Sequence, residues 1–132
     1  MVILFIWKGF TVSMIIRYKN VHIERICTVE SIAKKNFDHV RYVEKLMSLI
    51  SLIEQSPTLS DLIAFQNTHF HATDFYVKNS YGLDIAGRKS MYRLIIVPLD
   101  DDGNEIVRDD TFFDRCKQIK ILRIEEVSKH YE

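Results

Sequence analysis

Residues 81–97, Tyr-Gly-Leu-Asp-Ile-Ala-Gly-Arg-Lys-Ser-Met-Tyr-Arg-Leu-Ile-Ile-Val, decide the fold. Tyr81, Leu83 and Ile85 alternate with Gly82 and Asp84, the period of a strand with one buried and one wet face. Gly87 and its neighbours supply a turn. Tyr92 to Val97 then runs almost unbroken in apolar residues, interrupted only by Arg93, as a central strand covered on much of both faces does. Toward the C-terminus, Ile119 to Val127 reads as a last strand. Between these strands, Asp100 to Asp114 carries seven carboxylates against Arg108, a local charge of −6. It reads as a solvated loop or a short hairpin around Asp102-Gly103-Asn104, or as carboxylates offered to a basic partner. Toward the N-terminus, Met14 to Lys19 is short, β-branched and aromatic, a strand. Ile23, Ile26, Cys27, Val29, Ile32 and Ala33 recur at helical spacing, which predicts a first helix of about four turns. Asp38 is placed to cap a second helix whose stripe is Val40, Val43, Leu46, Met47, Ile50 and Ile53, closing before Ser56-Pro57. Thr58 to Ile63 adds a short turn. The expected fold is α+β: an N-terminal strand, a helical hairpin, then a three-stranded antiparallel segment, forming one antiparallel sheet with both helices on one face.

The chain of 132 residues has room for one domain, read as residues 14–132. Residues 1–13 read as an N-terminal extension, either an extra strand pairing with Met14 to Tyr18 or sequence upstream of a start at Met14. The apolar run Val2 to Trp7 is far short of the roughly 20 residues a membrane-spanning helix needs, so no membrane partner is expected. Lys and Arg number 18 and Asp and Glu 18, which argues against a protein that coats nucleic acid by bulk charge; any such site is local. Two cysteines without CxxC spacing suit a reducing, cytoplasmic setting. Cys27 reads as core filler, whereas Cys116, between Arg115 and Lys117, is a candidate for a lowered pKa. His69 and His71 form an HxH pair. Zinc needs three or four ligands, and no Cys or further His lies at a standard spacing, so neither metal nor cofactor is expected.

From Met14 onward the order of blocks resembles the RelE/ParE superfamily of bacterial toxins, most closely its HigB-like plasmid maintenance killer branch. The residues that carry the resemblance are the opening strand with Ile23-Glu24-Arg25-Ile26-Cys27, the Ser56-Pro57-Thr58-Leu59-Ser60-Asp61-Leu62 stretch, His71 to Ile85, Tyr92-Arg93-Leu94-Ile95, and Ile121 to Tyr131. The resemblance implies a toxin held by a small helix-turn-helix antitoxin and cleaving mRNA on the ribosome. That reaction is attack of a ribose 2′-OH on the adjacent phosphate, without metal or cofactor. It needs a group to take the 2′ proton, one to protonate the leaving 5′ oxygen, and cations for the phosphate.

By the same resemblance, Lys78, Arg93, His130 and Tyr131 are the catalytic candidates, with His71, Arg88 and Lys89 contacting RNA. Each also has a plain structural reading. Lys78 can be a solvated loop lysine, Arg93 can pair with Asp84 across the sheet, and His130 and Tyr131 can be a frayed end. Val77-Lys78-Asn79 and Lys129-His130-Tyr131 depart from the family's usual Arg-Lys-Gly run and its usual ending, which allows a weakened or altered nuclease. Two alternatives therefore stand beside the nuclease: a ParE-like inhibitor that acts on DNA gyrase by binding alone, and a non-toxic binding module of the same fold.

Overall fold

The computed structural model describes residues 13–73 and 76–129. The expectations for residues 1–12, and the candidates His130 and Tyr131, lie outside the described residues. The fold is α+β, built among the described residues on one sheet of five strands: β1 (Ile15–Tyr18), β2 (His71–Ala72), β3 (Tyr81–Asp84), β4 (Tyr92–Leu99) and β5 (Ile121–Lys129), in the spatial order β1-β5-β4-β3-β2. As expected, β4 is central and pairs antiparallel with β3 and β5, Asp84 facing Arg93 and Arg93 facing Ser128.

The sheet is not wholly antiparallel. β1 lies parallel to β5, Ile15 facing Ile121 and Tyr18 facing Ile124. Parallel neighbours need a long connection, and here nearly the whole chain provides it. Four strands were expected from residue 14 onward, and the fifth, β2, has two residues, too few for any alternation to register. β3 was expected to be wet on one face, yet all four of its residues are buried. Its outer face is covered by other side chains: the His71 ring lies over Gly82, and the side chains of His69 and Arg93 lie against Asp84.

The helical layer is α1 (Val21–Thr28), α2 (Glu30–Ala33), α3 (Val40–Gln55) and α4 (Leu59–Ile63). The expected four-turn first helix is two pieces, because Val29 leaves helical geometry at φ −116°, ψ 109°. A β-branched residue loses side-chain freedom in a helix, so the break falls where helix propensity is weak. α3 ends before Pro57 as expected. Its N-cap is His39, whose Nδ1 accepts the Arg41 N–H at 3.1 Å, and not Asp38, whose carboxylate accepts from the Tyr92 hydroxyl at 3.0 Å. The Thr58–Asp61 capping box fixes the start of α4. Ile23, Ile26 and Cys27 of α1, Val43, Leu46, Ile50 and Ile53 of α3, and Leu59 and Leu62 of α4 pack on Tyr81, Leu83, Tyr92, Leu94, Ile96, Leu122 and Ile124 of the sheet. Removing a fully buried Leu46 side chain to Ala costs about 2–5 kcal/mol.

Residues 100–104 form the short hairpin expected around Gly103, whose φ of +85° is one an L side chain rarely adopts. Asp100 and Asn104 close the turn through backbone bonds, and Glu105 bridges to Leu99. The rest of the excursion includes a turn of helix, α5 (Phe112–Arg115), whose Phe112 is buried against Tyr81.

Candidate functional site

The face of the sheet opposite the helices carries a row of polar side chains. Strand pairing sets Asp84 beside Arg93 and Arg93 beside Ser128, and His69, just before β2, extends the row past Asp84. The row ends at Ser128 Oγ, which bonds the Tyr76 hydroxyl from the 73–80 excursion. That excursion is closed at its base by Thr73 and Ser80, joined through their hydroxyls at 2.6 Å, and is held from the side by Arg108, which donates to both of their carbonyls.

Arg93 is the best-connected member of the row. Its Nε lies 3.0 Å from Asp84 Oδ1. Nη1 donates to the carbonyls of Ser90 at 2.5 Å and Tyr92 at 2.9 Å, and Nη2 donates to that of Arg88 at 3.2 Å. Arg93 is thus the cross-strand partner of Asp84. In the same geometry the guanidinium acts as a strut under the β3–β4 loop, residues 85–91. Arg88 and Lys89, both on that loop, project into solvent. Between the loop and α3 runs an open groove of about 460 Å³ whose lining includes Arg88, Lys45, Gln66 and Asn67.

His69 has left-handed backbone geometry, φ 46° and ψ 59°, uncommon for a residue with a side chain. That conformation brings its ring against the His71 ring, with centroids 4.8 Å apart and planes 28° from parallel. His71 Nδ1 lies 2.7 Å from the His69 carbonyl. A carbonyl only accepts, so the proton sits on Nδ1 and the lone pair of His71 is on Nε2. Asp84, with a side chain shielded completely from solvent, approaches His69 Nδ1 through Oδ2 at 3.4 Å. Neither carboxylate oxygen of Asp84 nor His69 Nδ1 has an aligned hydrogen bond among the described residues.

Of the expected site residues, the structure thus gathers Arg93, Arg88, Lys89 and His71 around one end of β2, β3 and β4. Lys78 stands apart in the 73–80 excursion, exposed beside the buried Asn79. Sequence reading gave no functional role to Asp84, His69 or Arg108. Asp84 was visible only as a possible partner for Arg93. The HxH pair was visible, but its nearness to Asp84 comes from strand register over 15 residues and not from any local spacing. The expectation of a lowered Cys116 pKa is overturned: burial pushes that thiol up to about 11 against the weaker opposing pull of Arg115, and Sγ donates to the Phe112 carbonyl.

No family model, no curated protein and no solved structure matches this chain. Among the described residues, no helix is long and apolar enough to cross a membrane.

Proposed function

We propose that this chain is the toxin of a bacterial toxin–antitoxin pair of the RelE/ParE kind, HigB-like branch, acting in the cytoplasm as a ribosome-dependent mRNA endonuclease under a helix-turn-helix antitoxin. The observation that carries the reading is the His71 imidazole, with a free Nε2, at the strand end whose loop displays Arg88 and Lys89. An imidazole lone pair is suited to taking the 2′-OH proton. Exposed cations on a braced loop are suited to holding the phosphate on which charge develops. In this reading Arg93 is a positioning residue, because its donors are engaged with Asp84 and the loop carbonyls. Protonation of the leaving oxygen falls to Lys78, His130 or Tyr131.

The engagement of Arg93 also favours a second reading, a ParE-like or purely binding module, since a guanidinium with its donors occupied offers little to a phosphate. Induction of the chain in a bacterial host separates the two. The nuclease reading expects growth arrest with messages cut, seen by primer extension, and normal DNA supercoiling by gyrase. Intact messages with inhibited supercoiling would instead establish the gyrase reading.

A further inference from the structure

We infer that His69, His71 and Asp84 form a binding site for a zinc-type divalent metal ion at the β2–β3 edge, a site that does not rest on the proposed nuclease and that draws on the same His71 Nε2 lone pair, so a bound ion would occupy the proposed base. One ligand atom from each of the three residues lies within 4.8 Å of the other two. His69 Nδ1 and Asp84 Oδ2, 3.4 Å apart, already have the spacing of two ligands on one tetrahedral zinc, about 3.3 Å from zinc–ligand bonds of about 2.0 Å. Both are buried polar atoms without an aligned hydrogen bond, which is costly in a protein interior and is relieved by a metal ion.

The surroundings suit an ion as well as the donors do. Arg93 takes Oδ1 of Asp84 and leaves Oδ2 facing the histidines, so the carboxylate is oriented as a single-oxygen ligand. The His69 carbonyl fixes the proton of His71 on Nδ1, leaving Nε2 as its metal-binding nitrogen. Gly82 makes the cradle: a Cβ there would lie 2.9 Å from both Cε1 and Nε2 of His71, so any other residue would push the ring off β3. Both histidines are partly exposed, which gives an ion a way in and leaves a fourth position to water.

The test uses the untagged full-length chain, stripped of metal with a chelator and titrated with zinc against a chromogenic chelator, with cobalt as a spectroscopic substitute. The expected result is one zinc per chain and visible cobalt bands of tetrahedral intensity. His69→Gln and His71→Gln should each weaken binding by on the order of tenfold or more, while His22→Gln, on exposed α1, leaves it unchanged. Circular dichroism and melting of both variants confirm that they are folded. Absence of competition with the chelator, or equal affinity in parent and variants, would overturn the site. No RNA enters the titration, so its failure leaves the nuclease reading untouched, and failure of RNA cleavage leaves the metal site untouched.

Discussion

At the scale of single residues, Arg93 ties Asp84 to the backbone of the 85–91 loop. Its partner Asp84 is wholly buried, so removing the guanidinium strands a carboxylate in the interior. Arg93→Ala should therefore destabilise the fold by about 3–5 kcal/mol, whereas removing both charges as Asp84→Ala with Arg93→Ala should cost less than the sum of the single changes. Urea denaturation of the four proteins reads this cycle, and single-variant effects that simply add would break the assignment of the pair. If the chain is the proposed toxin, loss of growth arrest in Arg93→Ala is informative only beside that measurement. Arg88 and Lys89 behave oppositely: the strut binds the Arg88 carbonyl, and both side chains are exposed. Arg88→Ala with Lys89→Ala should melt like the parent yet bind single-stranded RNA more weakly, with the slope of log affinity against log salt reduced by about 1–2. An unchanged slope would remove Arg88 and Lys89 from the proposed RNA contact.

Secondary-structure elements were legible where a pattern repeats and illegible where contact decides. The 85–91 turn, the central β4, the α3 stripe apart from the exposed Val40, and the Thr58 start of α4 follow from period and punctuation in the sequence. The break at Val29, the two-residue β2 and the parallel seat of β1 do not, because each is settled by packing or by a partner far along the chain. The candidate site divides in the same way. Exposed cations on a loop can be read from a string, but a carboxylate brought to two histidines by strand register cannot. The clasp between the 73–80 excursion and the acidic segment belongs to this second kind. Arg108 donates to the Thr73 and Ser80 carbonyls and lies over the Tyr81 ring, its own N–H bonds Asn79 Oδ1, and Asn79 Nδ2 reaches Glu105 at 3.4 Å. Arg108→Ala takes a donor from the Thr73 carbonyl and one of two from the Ser80 carbonyl, which keeps the Thr73 N–H, and costs about 1–3 kcal/mol. Amide exchange should accelerate across residues 76–80 while α3 stays protected, and uniform exchange throughout would show that the clasp is not local. The hairpin at 100–104 makes no such clasp. Shortening it should leave RNA cleavage intact and weaken binding to a basic antitoxin surface, and unchanged affinity in calorimetry would mark it as a solvated turn.

For the molecule as a whole, a buried thiol, a half-buried phenol and an exposed, paired carboxylate set the limits of pH stability. Burial pushes the Cys27 thiol up to about 12 from an ordinary 9, and the Tyr18 phenol, also by burial, up to about 12 from 10. Groups whose folded pKa is raised contribute stability fully below the unfolded value and lose it as pH climbs to the folded one. Melting temperature should therefore fall between about pH 9 and 12, and less steeply in Cys27→Ala. On the acid side, the hydrogen bond from Arg123 holds Glu105 below the usual carboxylate range, a contribution present above the unfolded value and lost as pH falls through the folded one. Both cysteines are buried, so an aromatic disulfide reagent at neutral pH should label neither until the chain unfolds; rapid labelling of the native protein would contradict the packing. The seat of β5 between β1 and β4 has a consequence in time. A ribosome makes the chain from one end, and the strand that joins the two halves of the sheet is the last of the five to leave the exit tunnel. Until then β1 has no neighbour among the described strands and β4 has a bare edge. Nascent chains halted at successive lengths should stay open to protease until residue 129 has emerged, then become resistant in a single step. Folding is in this sense withheld until synthesis of the domain is done, and every partial product is an exposed sheet edge that must be kept from its neighbours on the same message.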